Sequence, residues 1–139
     1  MNICIIGSGG REHSLCYKIS KSKHANKIFC LPGNPGTAKI ATNIKVNLND
    51  FDEVYKVVKK NEIDLIIVGP EAPLVDGIVD YFEDKNIRIF GPSKKASQLE
   101  GSKIFMKNIC DQFKIPTAKY KEVTSISDAE DFISKLNLP

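Results

Sequence analysis

The residues best suited to chemistry form the stretch Gly7-Ser8-Gly9-Gly10, which follows an apolar run and precedes a polar stretch compatible with a helix. Glycine lets the backbone adopt positive φ and approach a ligand closely. The free N–H groups and positive dipole end of the following helix then face an anion. This order of strand, glycine-rich turn and helix predicts a loop that binds the phosphate of a nucleotide or a sugar phosphate.

Comparison with the dinucleotide-binding fingerprint argues against an NAD site. That fingerprint needs a third glycine three residues after the second and an acidic residue about 20 residues further on, after the next strand. Gly7 and Gly9 fit, but the third position is Glu12, and the second strand ends in residues 31–34, which contain no acid to hold a ribose. An isolated Gly-x-Gly is also compatible with a tight turn that binds nothing.

Three more loops follow apolar strands in the same way. They are Pro-Gly-Asn-Pro-Gly at residues 32–36, Gly-Pro-Glu at residues 69–71 and Gly-Pro-Ser at residues 91–93. In a parallel sheet the carboxyl ends of the strands lie along one edge, where ligands bind. Two of these loops carry polar side chains, Asn34 and Glu71. We therefore predict one site built from several loops.

The periodicity of apolar residues predicts the elements that position these loops. Short apolar runs predict strands, and apolar residues spaced three and four apart predict helices. After the first strand, the strands are expected at residues 27–31, 63–68 and 88–90, and the helices at residues 11–22, 51–58 and 74–82. Asp50 with Glu53 resembles a capping box. Alternating strands and helices imply right-handed crossovers, so we predict an α/β fold, a Rossmann-like parallel sheet with helices on both faces.

The pattern changes after residue 93, where we expect the first domain to end. Residues 94–100 predict a short helix, and Ser102 is expected to cap the next one. Residues 118–123 are predicted as an edge strand, and Ser127 with Glu130 predicts a capping box for a last helix. Residues 94–139 are too few for a second domain with its own core.

Composition excludes several classes of function. The chain has 139 residues and a net charge of +3, and its lysines form no dense basic stripe, so nucleic acid is not an expected partner. No apolar run approaches the roughly 20 residues of a membrane span, and the start lacks the features of a secretory signal. The four cysteines show no Cys-x-x-Cys spacing. We expect buried, reduced thiols in a cytoplasmic protein rather than disulfides or a metal site.

The ordered set of motifs resembles the phosphoribosylamine–glycine ligase family, also called glycinamide ribonucleotide synthetases, of the ATP-grasp superfamily. The motifs are GSGGREH at residues 7–13, PGN and GTA within residues 32–38, VGPE at residues 68–71, FGP at residues 90–92 and LEGSK at residues 99–103. They extend in order over essentially the whole chain. Each motif alone is modest, but the set is specific.

This resemblance implies a reaction in purine biosynthesis that joins glycine to 5-phosphoribosylamine with ATP, giving glycinamide ribonucleotide, ADP and phosphate. In such ligases ATP first phosphorylates the glycine carboxylate, and the amine then attacks the acyl phosphate, with Mg²⁺ or Mn²⁺ on the phosphates. The family is several times longer than this chain. Its metal ligands and catalytic residues would follow Pro139, so we expect none of them here.

The resemblance also assigns roles to parts of this chain. Residues 1–93 would bind the phosphoribosyl substrate, and residues 94–139 would form a linker helix and the truncated start of the ATP-grasp domain. Lys103 would contact ATP, and Lys107 fits either a contact or a solvated helix residue. The substrate-binding residues implied are Gly7, Ser8, Gly9, Gly10, Arg11, Glu12, Pro32, Gly33, Asn34, Gly69, Pro70 and Glu71.

Several alternatives stay open at this point. Glu12 either stabilises the helix dipole or contacts the ligand, and His13 is expected to be structural more than ligand-binding. The chain also fits the first domain of another ATP-grasp enzyme that acts on a purine intermediate. A non-enzymatic domain that binds a sugar phosphate is the third possibility.

Overall fold

The computed structural model describes residues 1–136, and the chain divides into two compact units, Met1–Gly101 and a second that begins at Ser102. The first unit contains a five-stranded sheet in the order β3-β2-β1-β4-β5, in which every pair of neighbours is parallel. The strands are β1 Asn2–Gly7, β2 Lys27–Pro32, β3 Thr42–Asn43, β4 Leu65–Val68 and β5 Ile89–Phe90.

Five helices accompany this sheet, and two more lie in the second unit. The helices are α1 Gly10–Ser20, α2 Phe51–Lys60, α3 Glu71–Asp76, α4 Ile78–Glu83, α5 Lys94–Gly101, α6 Lys103–Gln112 and α7 Ile126–Ser134. A 3-10 turn at Thr37–Lys39 precedes β3. The alternation of strands and helices confirms the predicted α/β class. The two-residue strand β3 was not predicted, because so short a strand carries no apolar period.

Side chains that alternate along β1 bury two layers of core. Ile6 faces the layer formed with α2 and α4, where Val54 and Phe82 are fully buried. Ile5 faces the opposite layer and packs with Cys16 of α1. Because both faces of the central strand are covered, the side chains of its residues 3–6 are all buried, and their sequence is a continuous apolar run. The prediction of helices on both faces of the sheet is confirmed.

The four cysteines of the chain are free thiols. Cys4, Cys16, Cys30 and Cys110 are all buried and unpaired by disulfides. Burial raises the pKa of the Cys4 and Cys30 thiols and raises that of Cys16 to about 12. Such thiols stay protonated at neutral pH and pack as small apolar groups.

Two predicted helices differ from expectation in detail. Asp50 caps α2 by accepting a hydrogen bond from Glu53 N at 3.0 Å, but the Glu53 carboxylate accepts from Asn47 N rather than from Asp50. The single helix predicted over residues 74–82 is wrong. It is divided at Gly77, whose φ of +100° is left-handed and ends one helix before the next begins.

The first compact unit includes α5 and therefore extends beyond residue 93. Lys94 N donates to the Asp80 carboxylate at 2.7 Å. At the other end of α5, a Cβ on Gly101 would lie 2.5 Å from a Val75 methyl carbon, so α5 lies directly against α3. The structural boundary consequently falls after Gly101. The functional division at residue 93 stays a prediction.

The second unit confirms one predicted cap and corrects two other expectations. Ser102 caps α6 by accepting a hydrogen bond from Phe105 N at 3.2 Å. Residues 118–123 form no strand, since nothing in the described part of the chain pairs with them. The cap of α7 is Ser125, which accepts from Asp128 N at 3.1 Å, and not Ser127.

Candidate functional site

The sheet reverses its winding direction beside β1. The chain passes from β1 outward to β2 and β3 and then returns to β4 on the other side of β1. Ligands of open α/β sheets bind at such a reversal, outside the carboxyl ends of the strands. The loops that meet there are the β1 loop (residues 7–10) and the β4 loop (residues 69–71), and we call the space between them the crevice. The β2 loop (residues 32–36) lies next to the β1 loop.

The β1 loop presents backbone and small side chains to solvent. Gly7 adopts a φ of +126°, which favours glycine. Gly9 is the N-cap of α1, and its φ of −90° is open to other residues. Ser8, Gly9, Gly10 and Arg11 are exposed. The first N–H groups of a helix have no intrahelical acceptors, so Gly10 and Arg11 offer donors at this end of α1.

Glu12, which follows this loop, is directed inward. It is only 2% exposed, and its Oε2 accepts a hydrogen bond from Gly9 N at 2.6 Å. One N–H group of the predicted phosphate loop is therefore already occupied by a carboxylate of the same turn. The other oxygen, Oε1, is buried and has no hydrogen-bond partner within residues 1–136.

The Glu12 carboxylate fills the base of the crevice. A Cβ on Gly7 would lie 2.6 Å from Glu12 Cγ, and a Cβ on Gly69 would overlap Oε1 itself. Gly9 is constrained by the same group, because its Cβ would lie 2.9 Å from Oε2. Three glycines of the predicted site thus leave space for the buried side chain of Glu12. They are Gly7, Gly9 and Gly69.

Asn34 connects the β2 loop to the β1 loop. Its Nδ2 donates to Ser8 O at 2.8 Å and to Gly9 O at 3.1 Å. Its Oδ1 accepts from Gly36 N at 2.7 Å and from Thr37 N at 3.0 Å. The side chain therefore fixes the position of the β1 loop. A direct contact between Asn34 and a ligand stays a prediction.

Two residues that sequence reasoning missed complete this network. The hydroxyl of Thr37, which is fully buried, accepts from Asn34 N at 2.7 Å and lies 2.8 Å from Asn43 Oδ1. Asn43 Nδ2 donates to Asn34 O at 2.8 Å. Gly33 has a φ of +74°, and a Cβ there would collide with the Asn43 side chain. The spacing Asn-x-x-Thr after a Pro-Gly pair is the one sequence signal for this turn.

An ion pair spans the mouth of the crevice. Arg11 Nη2 lies 3.4 Å from Glu71 Oε2, and both side chains are more than half exposed. The pKa of the Glu71 carboxyl lies below its usual range, because its own backbone N–H and then the Arg11 guanidinium stabilise the charged form. Pro70 separates Glu71 from Gly69 in this loop.

The remaining predicted residues occupy different surroundings. Pro32 ends β2 and follows a cis peptide bond. His13 is exposed and lies against Gly36, where a Cβ would be 3.1 Å from its ring. Lys103 is exposed at the start of α6 in the second unit. Lys107 donates to Thr117 Oγ1 at 2.6 Å and so has a structural partner.

Residues 1–136 contain neither a cluster of metal ligands nor a helix that could span a membrane. This part of the chain brings together no group of three or more His, Cys, Asp or Glu side chains able to hold a metal ion. None of its helices combines the length and apolar character needed to cross a bilayer.

A parallel sheet in this order, with a glycine-rich β1 loop at the reversal of winding, defines a Rossmann-like domain. Comparison with known proteins gives a narrower assignment. Residues 1–100 match the family described as phosphoribosylglycinamide synthetase, N domain, and the chain belongs to this family.

Known relatives agree with this assignment. The chain is 50% identical over 132 residues to the phosphoribosylamine–glycine ligase of Rhodopirellula baltica, covering 95% of this chain and 30% of that protein. It is 45% identical over 139 residues to the ligase of the same name from Clostridium acetobutylicum, covering all of this chain and 33% of that protein. The chain therefore spans about a third of the length of the curated relatives it matches.

A solved structure supports the same fold. The crystal structure of phosphoribosylamine–glycine ligase from Thermotoga maritima superposes with a TM-score of 0.70 at 26% identity. The match covers 99% of this chain and 31% of that one.

Proposed function

We propose that this chain forms the part of a phosphoribosylamine–glycine ligase that binds the phosphorylated sugar substrate. Such a ligase joins glycine to 5-phosphoribosylamine with ATP, through a glycyl phosphate, and releases glycinamide ribonucleotide, ADP and phosphate in purine biosynthesis. The observation that carries the proposal is the meeting of the α1 N-terminus with the Arg11–Glu71 pair at the reversal of the sheet. The names of the relatives supply the identity of the substrate.

The chemistry of the exposed groups suits the two ends of 5-phosphoribosylamine. The phosphate would lie outside the first turn of α1, where the N–H groups of Gly10 and Arg11 are free of intrahelical acceptors and the helix dipole is positive. The guanidinium of Arg11 would add charge-assisted hydrogen bonds. Across the crevice, the Glu71 carboxylate would accept from a ribose hydroxyl or from the amine.

The β2 loop contributes indirectly to this arrangement. Because Asn34 holds the carbonyl groups of Ser8 and Gly9, it fixes the orientation of the backbone N–H groups that follow. Pro32 and Gly33 shape the turn that positions Asn34. The chain's own residues would thus bind and orient the sugar phosphate.

ATP use belongs to the same proposal, and Lys103 is the residue of this chain proposed to contact its phosphates. When bound, Mg²⁺ or Mn²⁺ would neutralise charge on those phosphates. Residues 1–136 offer no cluster of ligands that fits such an ion, and the substrate binding proposed here rests on the N–H groups of α1, Arg11 and Glu71. Small molecules are the proposed partners, and a cytoplasmic location is proposed from the buried free thiols.

Calorimetric titration of the 139-residue chain with glycinamide ribonucleotide tests the proposal, with NAD and ATP as comparisons. We expect saturable binding of the ribonucleotide and none of NAD. Binding of NAD alone would replace the proposal with a dinucleotide site, and binding of none of the three would refute a phosphoribosyl site on this chain.

A pair of variants locates the phosphate. Arg11→Gln should weaken ribonucleotide binding about tenfold, because a charge-assisted hydrogen bond is lost. Lys18→Gln removes the same charge from the last turn of the same helix and should leave the affinity unchanged within about twofold. Equal losses in both variants would indicate a non-specific charge effect and contradict the assignment.

A further inference from the structure

The buried oxygen of Glu12 is a side-chain atom of the crevice that lacks a hydrogen-bond partner within residues 1–136. Glu12 Oε2 is satisfied by Gly9 N at 2.6 Å, whereas Oε1 is buried and accepts nothing within residues 1–136. Burying a carboxylate oxygen without a hydrogen bond is costly, and native structures rarely retain such a group without a reason. Stability of α1 does not supply the reason, since the bond from Oε2 already caps the helix.

The position of Oε1 indicates what it faces. It lies against Gly69, where any side chain would overlap it, and Pro70 Cδ is 3.0 Å from the position of a Cβ on Gly7. The carboxylate is therefore held between the ends of β1 and β4, beneath the β4 loop. This is the place at which a ligand enters a sheet of this topology.

The chemistry of this oxygen limits the group that it can bind. An ionised carboxylate is only an acceptor, so Oε1 takes an O–H or N–H hydrogen, whereas it repels a phosphate. The bond from Gly9 fixes the orientation of the carboxylate. The phosphate of a ligand therefore belongs on the outer side, beside Arg11, and the hydrogen-bond donors of the ligand belong on the inner side.

The cover over Oε1 is formed by a loop that is held weakly at its outer end. Gly69 contributes only backbone there, and its N–H donates to Ile6 O at 3.0 Å, so the inner end of the loop is held by β1. The Arg11–Glu71 pair that connects the β4 loop to α1 is exposed and 3.4 Å long, and exposed ion pairs contribute little. A ligand that engages Arg11 and Glu71 separately can displace this pair and so open the mouth of the crevice, at whose base the Glu12 carboxylate lies.

We propose that Glu12 Oε1 accepts a hydrogen bond from a hydroxyl or amine hydrogen of the ligand, so that the crevice selects sugar phosphates over phosphate groups alone. The inference rests on the proposed function and deepens it. Glu12 gives the site a preference for ligands that carry a sugar. The exposed N–H groups and Arg11 do not provide this preference, because they recognise any phosphate.

Glu12→Gln tests the inference with two probes, ribose 5-phosphate and methyl phosphate. The amide can still accept from Gly9 N, but it places an NH₂ donor where Oε1 was, opposite the donor of the sugar. We expect the affinity for ribose 5-phosphate to fall about tenfold to a hundredfold, as for loss of a hydrogen bond to a charged group. The affinity for methyl phosphate and the thermal midpoint should not fall.

A matched control is available at the equivalent position of another helix. Glu53 is the third residue of α2, as Glu12 is of α1, and its carboxylate accepts from Asn47 N at 3.1 Å, outside the two loops that form the crevice. Glu53→Gln should leave both affinities unchanged. Equal losses for the two probes in Glu12→Gln, or no loss for either, would overturn the inference and indicate a purely structural carboxylate.

The wild-type chain gives a test that needs no variant to fold. It should bind ribose 5-phosphate at least about tenfold more tightly than methyl phosphate. Equal affinities would overturn the inference but leave the proposed function standing. If the wild-type chain binds neither these probes nor glycinamide ribonucleotide, the proposed function fails and the inference fails with it.

Discussion

The β2 loop and the crevice lie side by side on one edge of the sheet, but their polar groups are satisfied to different degrees. In the β2 loop, Asn34, Thr37 and Asn43 bond to one another and to the neighbouring backbone. In the crevice, one oxygen of Glu12 has no hydrogen-bond partner among residues 1–136. The closed network of the β2 loop is what a framework requires. The incomplete one in the crevice fits the binding site that we propose there.

The difference also distinguishes two roles that a polar residue beside a glycine can have, namely shaping the site and contacting the ligand. Asn34 and Glu12 look alike in the sequence, since each lies in a glycine-rich stretch that follows a strand. Asn34 uses both ends of its amide to join two loops, so substitution there acts first on the shape of the site. Glu12 uses one oxygen for structure, and we propose that the other serves recognition of the ligand.

The largest effect that should distinguish the two regions is that of Thr37→Val. Valine has the same shape but leaves Asn34 N without an acceptor and Asn43 Oδ1 without its buried neighbour. Each unsatisfied buried group costs about 1–3 kcal/mol, so we expect a loss of about 2–4 kcal/mol in the free energy of unfolding, measured by urea denaturation. Ribonucleotide affinity should fall as well, because the β1 loop loses its support.

The exposed hydroxyl of Ser14 on α1 offers a control for Thr37→Val. Ser14 Oγ bonds only to Gly10 O, at 3.0 Å, and Ser14→Ala should change the stability by no more than about 0.5 kcal/mol. If Thr37→Val is equally mild, the β2 loop is not a rigid framework and the comparison between the regions fails.

A smaller effect is expected from Gly69→Ala, which alters the crevice without removing a polar group. The added Cβ would overlap Glu12 Oε1, and the buried carboxylate has to move. Overpacking of this kind costs about 1–3 kcal/mol, which thermal or urea unfolding can measure. Affinity for ribose 5-phosphate should fall more than affinity for methyl phosphate, since the carboxylate leaves its place.

Gly10→Ala is the matched change in the same region, because a Cβ there meets no atom within 4 Å. Alanine inside the first turn of α1 is tolerated and should be neutral or slightly stabilising. A Gly69→Ala chain as stable as Gly10→Ala would show that the carboxylate does not occupy the crevice in solution.

The sequence predicted the sheet and its loops because these depend on local signals. Apolar runs such as residues 63–68 locate the strands, and the turn residues that follow them locate the edge. Periodicity and capping patterns did not predict two short features correctly. The division at Gly77 requires a left-handed backbone that periodicity does not reveal, and α7 contains overlapping capping patterns at Ser125 and Ser127 that only the folded chain distinguishes.

The sequence predicted which loops form the candidate site, but it did not predict what each residue of those loops does. The sequence left Glu12 between helix stabilisation and ligand contact, because its burial depends on Gly69, which is distant in the chain. The same limit applies to Asn43, whose bonds to Thr37 and Asn34 form only when β3 lies beside β2. Contacts between residues that are distant in the chain decide these roles, and local sequence patterns do not reveal such contacts.

The smallest effect is expected from Glu71→Gln at the exposed mouth of the crevice. Because the Arg11–Glu71 pair is solvated, stability should change by no more than about 0.5 kcal/mol. The neutral amide accepts from the ligand less strongly, so affinity for glycinamide ribonucleotide should fall about threefold to tenfold. Affinity for methyl phosphate should hold or rise, since Arg11 is released from its partner, whereas Glu83→Gln on α4 should alter neither affinity.

The pH dependence of binding sharpens this last prediction. The pKa of Glu71 lies below its usual range, so its charge persists as the pH falls through the range in which ordinary carboxyl groups become protonated. The preference of the wild-type chain for glycinamide ribonucleotide over methyl phosphate should therefore persist through that range and decline only below it, towards the value of Glu71→Gln. If the preference of Glu71→Gln equals that of the wild-type chain at neutral pH, the carboxylate does not contact the ligand. Recognition would then lie in the buried Glu12 and in Arg11 alone.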